Sequence, residues 1–208
     1  QVLIYQGQPA PYSVTQEIYF DFIPLETYIN SGIWTFTVEA RRKATGHYHF
    51  YLPSAVVRNS NTRFYRPTPD VTLTIPSTSM KVITVGAYDI VFQSYADFSG
   101  RGYAYSNILG GVIQPGAIKP DLVAPGVNIQ APNLQGGYTS VTGTSFATPF
   151  VTGAAALMME WGIIRENDPY LYGEKVKAYL RNGAQPIRGE LEYPNPRVGY
   201  GALCLAES

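Results

Sequence analysis

Gly143-Thr144-Ser145-Phe146-Ala147-Thr148-Pro149 runs without a break into Phe150-Val-Thr-Gly-Ala-Ala-Ala-Leu-Met-Met159. The stretch places one serine where a Gly-Thr turn becomes a long apolar helix. A hydroxyl at that point lies among backbone N–H groups that have no intrahelical partner, and the helix dipole adds positive potential where an oxyanion would form. The same position suits a plain N-cap, because serine caps orphan N–H groups at many helix starts. Gly-Thr-Ser alone does not separate a nucleophile from a cap.

The length of the run separates them. Gly-Thr-Ser-x-Ala-x-Pro followed by Gly-Ala-Ala-Ala-Leu resembles the nucleophile segment of subtilisin-like serine proteases. That resemblance implies an α/β fold, a parallel sheet with a central buried helix, and it makes Ser145 the catalytic nucleophile. The residues agree with such a helix. Phe146 to Met159 is apolar nearly all round, as a helix at a domain centre requires. Gly153 permits close backbone approach, Pro149 is expected in the first turn where a missing N–H costs little, and Trp161-Gly162 is expected to end the helix.

Composition narrows the classes. With 45% hydrophobic and 14% charged residues over 208 positions, the chain can build a real core. Lys+Arg and Asp+Glu balance at fifteen each, which gives no reason to expect nucleic acid or an anionic membrane as partner. One cysteine, Cys204, excludes an intrachain disulfide framework and reads as a small buried residue. No apolar run reaches the roughly 18 residues of a bilayer span, and the N-terminus lacks the order of a signal peptide, so a soluble chain is expected.

Two regions differ in period. From Gln1 to about Ile75 the period is two: Ile18, Phe20 and Phe22 share a face, as do Trp34, Phe36 and Val38, and as do Tyr48, Phe50 and Leu52, with Val71 to Ile75 closing the set. Asn30-Ser-Gly32 and Lys43-Ala-Thr-Gly46 are turn chemistry between such strands. The expectation for 1–75 is part of an antiparallel β-sandwich. From residue 76 the texture changes, and Val82, Ile83, Val85 and Ala87 read as a strand buried on both faces of a parallel sheet. Residues 76–208 are therefore expected to form a separate α/β region.

Further segments carry the same resemblance. Ile75-Pro76 followed by Val-Ile-Thr-Val-Gly-Ala87 looks like the family's Pro turn and strand, which implies a cis Ile75–Pro76 bond. In that family backbone carbonyls of this loop line a weak cation site, at positions matching Ser77, Ser79 and Val82; carbonyl ligands leave no sequence signature, and neither metal nor cofactor is assigned. Asp97-Phe-Ser-Gly100 and Lys119-Pro-Asp-Leu-Val-Ala-Pro-Gly126 read as scaffold, with Asp121 structural rather than a catalytic acid. Asp168-Pro169 reads as the start of a helix or turn. Glu174 to Arg181 carries Val176, Tyr179 and Leu180 on one stripe, with Gly183 as its stop. Tyr193-Pro-Asn-Pro-Arg-Val-Gly-Tyr-Gly201 resembles the family's closing motif.

The remaining catalytic groups are not recognisable. A subtilisin-type triad runs Asp, His, Ser along the chain, yet the sequence has no Asp-Ser/Thr-Gly, no His-Gly-Thr, and no Ala-Gly-Asn before Ile75-Pro76. His47 and His49 lie in a strand-like context and read as surface histidines, and no cysteine or carboxylate cluster completes a metal site around them. Asn59 and Asn61 stand near the usual distance of the oxyanion asparagine but in a foreign context. The expectation is the C-terminal portion of a protease, partnered by an N-terminal portion, another chain or a segment outside this sequence, that carries Asp, His and Asn.

A narrower resemblance rests on Gly32-Ile-Trp34, Leu52-Pro53, Phe98-Ser-Gly-Arg-Gly-Tyr103, Met159-Glu-Trp-Gly-Ile163 and Tyr193-Pro-Asn. These look like the Csp-type proteases of spore-forming anaerobes, in which a jelly-roll domain is inserted before the Pro strand. It implies that 1–75 is part of that insert, that the substrate is a protein, a spore cortex hydrolase activated by limited proteolysis, and that the setting is spore-associated or secreted. Phe146 and Phe150 depart from the residues usual at their positions. Two alternatives stay open: a pseudoprotease that binds or senses, and a β region that acts as a separate carbohydrate- or protein-binding module.

Overall fold

The computed structural model describes residues 1–8, 16–39, 48–53, 58–102 and 118–208. The chain divides into two compact units, Gln1–Asn59 and Ser60–Ser208. Tyr103, His47 and the Lys43–Gly46 turn lie outside the described residues.

In the first unit β1 (Val2–Gln6) pairs antiparallel with β2 (Ile18–Phe22), in the register Val2↔Phe22 to Gln6↔Ile18. The strand expected around Ile18–Phe22 is present. Trp34–Val38 and Tyr48–Leu52, also expected as strands, form no ladder among the described residues. A strand needs a neighbour for its backbone N–H and C=O groups, and the described residues supply only the β1–β2 pair. The aromatic side chains nevertheless meet on the face their period selects: Phe22 lies 5.0 Å from Trp34, Phe20 5.2 Å from Phe36 and Phe36 5.9 Å from Phe50, centroid to centroid. The rings remain partly solvated, Trp34 being 55% and Phe50 43% exposed.

Residues 60–75, expected with the β region, make their contacts in the second unit. Thr72 N–H donates to Arg101 O at 2.8 Å, and Arg101 N–H returns to Thr72 Oγ1 at 2.8 Å. Val71 is buried with φ of 58°, which breaks the alternation a strand over 71–75 would need. The Ile75–Pro76 bond is cis.

The second unit is built on β3 (Val85–Asp89), β4 (Ser94–Tyr95) and β5 (Leu122–Pro125), in the order β4-β3-β5. β3 and β5 are parallel, with Val85 opposite Leu122 and Ala87 opposite Ala124. The free edge of β5 is taken by the closing motif: Val123 N–H donates to Gly201 O at 2.9 Å, and Leu203 N–H to Val123 O at 2.8 Å. β5 thus lies between two partners, which explains why Leu122, Val123 and Ala124 are completely buried. A hairpin of β6 (Ile129–Pro132) and β7 (Tyr138–Val141) then leads to α1 (Thr144–Met159).

Helix α1 packs on β3 and β5 through Ala147, Val151, Ala154 and Met158, which form one core with Ala87, Leu122, Ala124, Val176 and Leu180. Small residues on both sides bring helix and sheet close. The opposite stripe, Phe150, Leu157, Trp161 and Ile164, is between 42% and 75% exposed, so within these residues the helix is buried on one face only. It does not stop at Gly162. A π-helical turn (Glu160–Ile164) continues it, and Gly162 within that turn lies so close to Leu171 that a Cβ there would be 2.8 Å from that side chain. The resulting run Thr144–Ile164 has 21 residues and a mean hydropathy of 1.3. By length and composition it meets the requirement for a bilayer span, contrary to the sequence expectation, but its Ala147–Met158 face already packs on a sheet.

Helix α2 (Glu174–Asn182) presents Val176, Lys177 and Leu180 inward, while Tyr179 is 40% exposed. A buried lysine replaces the tyrosine expected on that stripe. Asp168-Pro169 forms a turn rather than a helix start: the Asp168 carboxylate accepts from Tyr170 N–H at 3.3 Å and pairs with Lys175.

Candidate active site

Two glycines seat the start of α1 on the end of the sheet. Gly143 N–H donates to Gly126 O at 2.8 Å, and a Cβ on Gly126 would lie 2.6 Å from that of Ala87. Gly143 itself has φ of 155°, and its carbonyl accepts from Phe146 N–H at 3.1 Å. The amides of Thr144 and Ser145 are left without an acceptor among the described residues. Ser145 is exposed, and its hydroxyl likewise has no hydrogen-bond partner there. A hydroxyl beside its own unpaired N–H, at the positive end of a helix, can attack a carbonyl and then hold the oxyanion.

Pro149 stands in the second turn of α1, not the first, because the helix begins at Thr144. It withholds the N–H that Ser145 O would otherwise accept. The hydroxyls of Thr148 and Thr152 turn inward to the backbone, donating to Thr144 O at 3.0 Å and Thr148 O at 3.2 Å.

Ser145 and Thr144 form one side of a cleft of about 580 Å³. One wall is Pro76-Ser77 with Val82 to Val85; the other is Asp97 to Gly100. The second wall is fixed by Ser99, whose buried hydroxyl accepts from Ala87 N–H at 2.9 Å and whose carbonyl accepts from Tyr95 OH. The first wall is fixed by charge. Asp121 is wholly buried and accepts from Thr84 N–H at 2.6 Å, from Lys119 Nζ at 2.7 Å and from Arg181 Nε at 2.9 Å, with Lys177 Nζ at 3.2 Å. Asp121 does not line the cleft, and its partners give it a structural place. Asp97 is the ionisable side chain among the lining residues; the sequence reading passed over it as scaffold, and nothing in its neighbours signals a cleft position.

The sequence model of the subtilase family matches residues 44–201, about three quarters of the chain. The chain belongs to the subtilase family. Among relatives, this subtilase is 34% identical over 151 residues to the serine protease AprX of Bacillus subtilis, covering 63% of this chain and 30% of AprX. Among solved structures it is similar to the Clostridium perfringens CspB protease, with a TM-score of 0.74 and 34% identity over 99% of this chain and 41% of that one. It is also similar to the prenylagaramide maturation protease PagA, with a TM-score of 0.52 and 32% identity over 67% of this chain and 45% of that one. The subtilase chain described here therefore spans less than half the length of these relatives. His49, beside Tyr51 at 6.2 Å, belongs to the first unit, whereas Ser145 belongs to the second.

Proposed function

We propose that this chain is the nucleophile-bearing portion of a subtilisin-like serine endopeptidase. Ser145 attacks the peptide carbonyl and its N–H donates to the oxyanion; histidine, aspartate and the oxyanion asparagine come from an N-terminal portion of the same protease. The observation that carries this reading is the Ser145 hydroxyl lying exposed in a cleft, beside unpaired amides, at the start of α1. The bare stripe from Phe150 to Ile164 supports the second half of it, since a face of four large apolar side chains is what an absent layer of the same fold would cover. Residues 1–75 are proposed as part of a jelly-roll insert; the β1–β2 ladder and the partly solvated aromatic face support this for residues 1–59, while 60–75 pack with the second unit. The Csp-type resemblance extends the proposal to limited proteolysis of a spore cortex hydrolase.

A fluorophosphonate probe tests the central claim. The intact protease is expected to label at Ser145, and Ser145→Ala to abolish both labelling and peptidase activity; the yardstick is the roughly 10⁶-fold loss already known for removing this nucleophile in subtilisin. Intact protein that stays unlabelled, with Ser145→Ala changing nothing, would establish the alternative, an inactive pseudoprotease that binds or senses.

A further inference from the structure

The wall of the cleft at residues 76–84 is where the subtilase fold implies a weak cation site, with the carbonyls at Ser77, Ser79 and Val82 in the matching positions. Two of those oxygens, Val82 O and Ser77 O, are already engaged by side chains of this chain, and Val82 O does not fit an ion. Val82 O accepts from Lys119 Nζ at 2.7 Å and from Lys177 Nζ at 2.9 Å. A carbonyl has two lone pairs, and both are engaged by ammonium groups. Ser77 O accepts from Thr84 Oγ1 at 2.6 Å, and Met80 O from Lys177 Nζ at 2.6 Å. A metal ion approaching Val82 O would meet two fixed positive charges within about 3 Å of that oxygen, each repelling it through a poorly screened interior.

We propose that Lys119 and Lys177 act as tethered cations that take the place of a bound metal ion and hold the cleft wall to the rest of the fold. Lys119 comes from the start of β5, and Lys177 reaches the loop from α2, 95 residues further along the chain than Val82. Their side chains are 3% and 6% exposed, and both ammonium groups touch Asp121, so the charges are held where a hydrated ion would otherwise exchange with solvent. An ion bound by carbonyls stabilises a loop by an amount that depends on its concentration, growing logarithmically once that exceeds Kd; a lysine supplies its charge whatever the ion concentration. The wall is therefore independent of salt composition and of chelators. The proposal concerns the cleft wall and stands whether or not Ser145 is a nucleophile.

The test compares the intact protease with its Lys177→Met variant, which leaves Asp121 paired with Lys119 and Arg181. Thermal midpoints are measured in choline chloride and in potassium or calcium chloride at constant ionic strength. The variant is expected to gain a saturable rise of roughly 3 °C or more over that of the wild type, because Met80 O and one lone pair of Val82 O are now open to an ion. Equal shifts in the two proteins overturn the proposal. Lys177→Gln serves as second variant. If neither folds, wild-type crystals soaked in rubidium chloride decide: anomalous density on Val82 O overturns the proposal, and its absence from that oxygen upholds it.

Discussion

Asp121 has no exposed surface and is surrounded by three cationic side chains, Lys119, Lys177 and Arg181. The surplus of positive charge is tolerable because Met80 O and Val82 O absorb the lysine protons that the carboxylate cannot. Removing the carboxylate leaves three desolvated cations without a counter-charge, so Asp121→Ala is expected to cost about 3–5 kcal/mol, read as a fall in the guanidinium chloride midpoint. Burial holds the Lys119 ammonium down to about 8 from its ordinary 10.5; the Asp121 carboxylate works against that fall and Lys177 adds to it. Between about pH 8 and 10.5 the unfolded chain carries a proton that the folded chain has lost, so stability rises with pH through that window and the gain is lost as pH falls back through 8. Lys119→Met should remove this slope, leaving the variant progressively worse than wild type from pH 8 to 10. Midpoints that differ by a constant amount across that range would refute it. The place of Ser145 at the start of α1 was legible in the sequence, because its segment is long and specific. Lys177 was not: a lysine inside an otherwise alternating helix face looks solvated until the carbonyls it reaches, nearly a hundred residues away, are in view.

Among the elements, β3, β5 and α1 were legible because each has a period or a boundary of its own: a continuous apolar run, prolines bracketing a short strand, and a Gly-Thr turn opening an apolar stretch. The strands expected at 34–38 and 48–52 illustrate the limit. Period selects a face, and the rings of Phe22, Trp34, Phe36 and Phe50 do meet on it, but a ladder is a property of two segments and no single run specifies its partner. Helix α1 shows the same limit in reverse, since an all-round apolar helix was expected to be buried and only one stripe is. The proposed N-terminal portion is expected to cover the other stripe. Replacing Leu157 and Trp161 together by serine is then expected to cost about 3 kcal/mol or more, the transfer value of two large side chains, and to release the N-terminal portion on gel filtration after limited nicking. An unchanged melting temperature would show that the stripe faces water.

At the scale of the whole molecule, the compact units meet at Asn59/Ser60, whereas the insert boundary expected from sequence lies at 75/76. The period-two run at Val71 to Ile75 does not reveal which unit residues 60–75 join; the exchange of hydrogen bonds between Thr72 and Arg101 ties them to the second. The second unit closes on itself where the residues around Gly201 join β5, so the sheet is completed by a motif near the end of the sequence. The buried lysines also give the fold a chemical signature. Amine-reactive reagents need a solvated amine; Lys81, with 80% of its side chain exposed, and Lys175, with 43%, offer one, although each also pairs with a carboxylate. Lys119 and Lys177 do not. Acetylation by an N-hydroxysuccinimide ester, followed by peptide mass spectrometry, is expected to modify the first two within minutes and the second two only as the cleft wall opens. Modification of Lys177 as fast as Lys175 in native protein would contradict the structure. Where the expectation holds, two amines beside the cleft become an internal clock, recording covalently how often that wall comes apart in a protein that is otherwise folded.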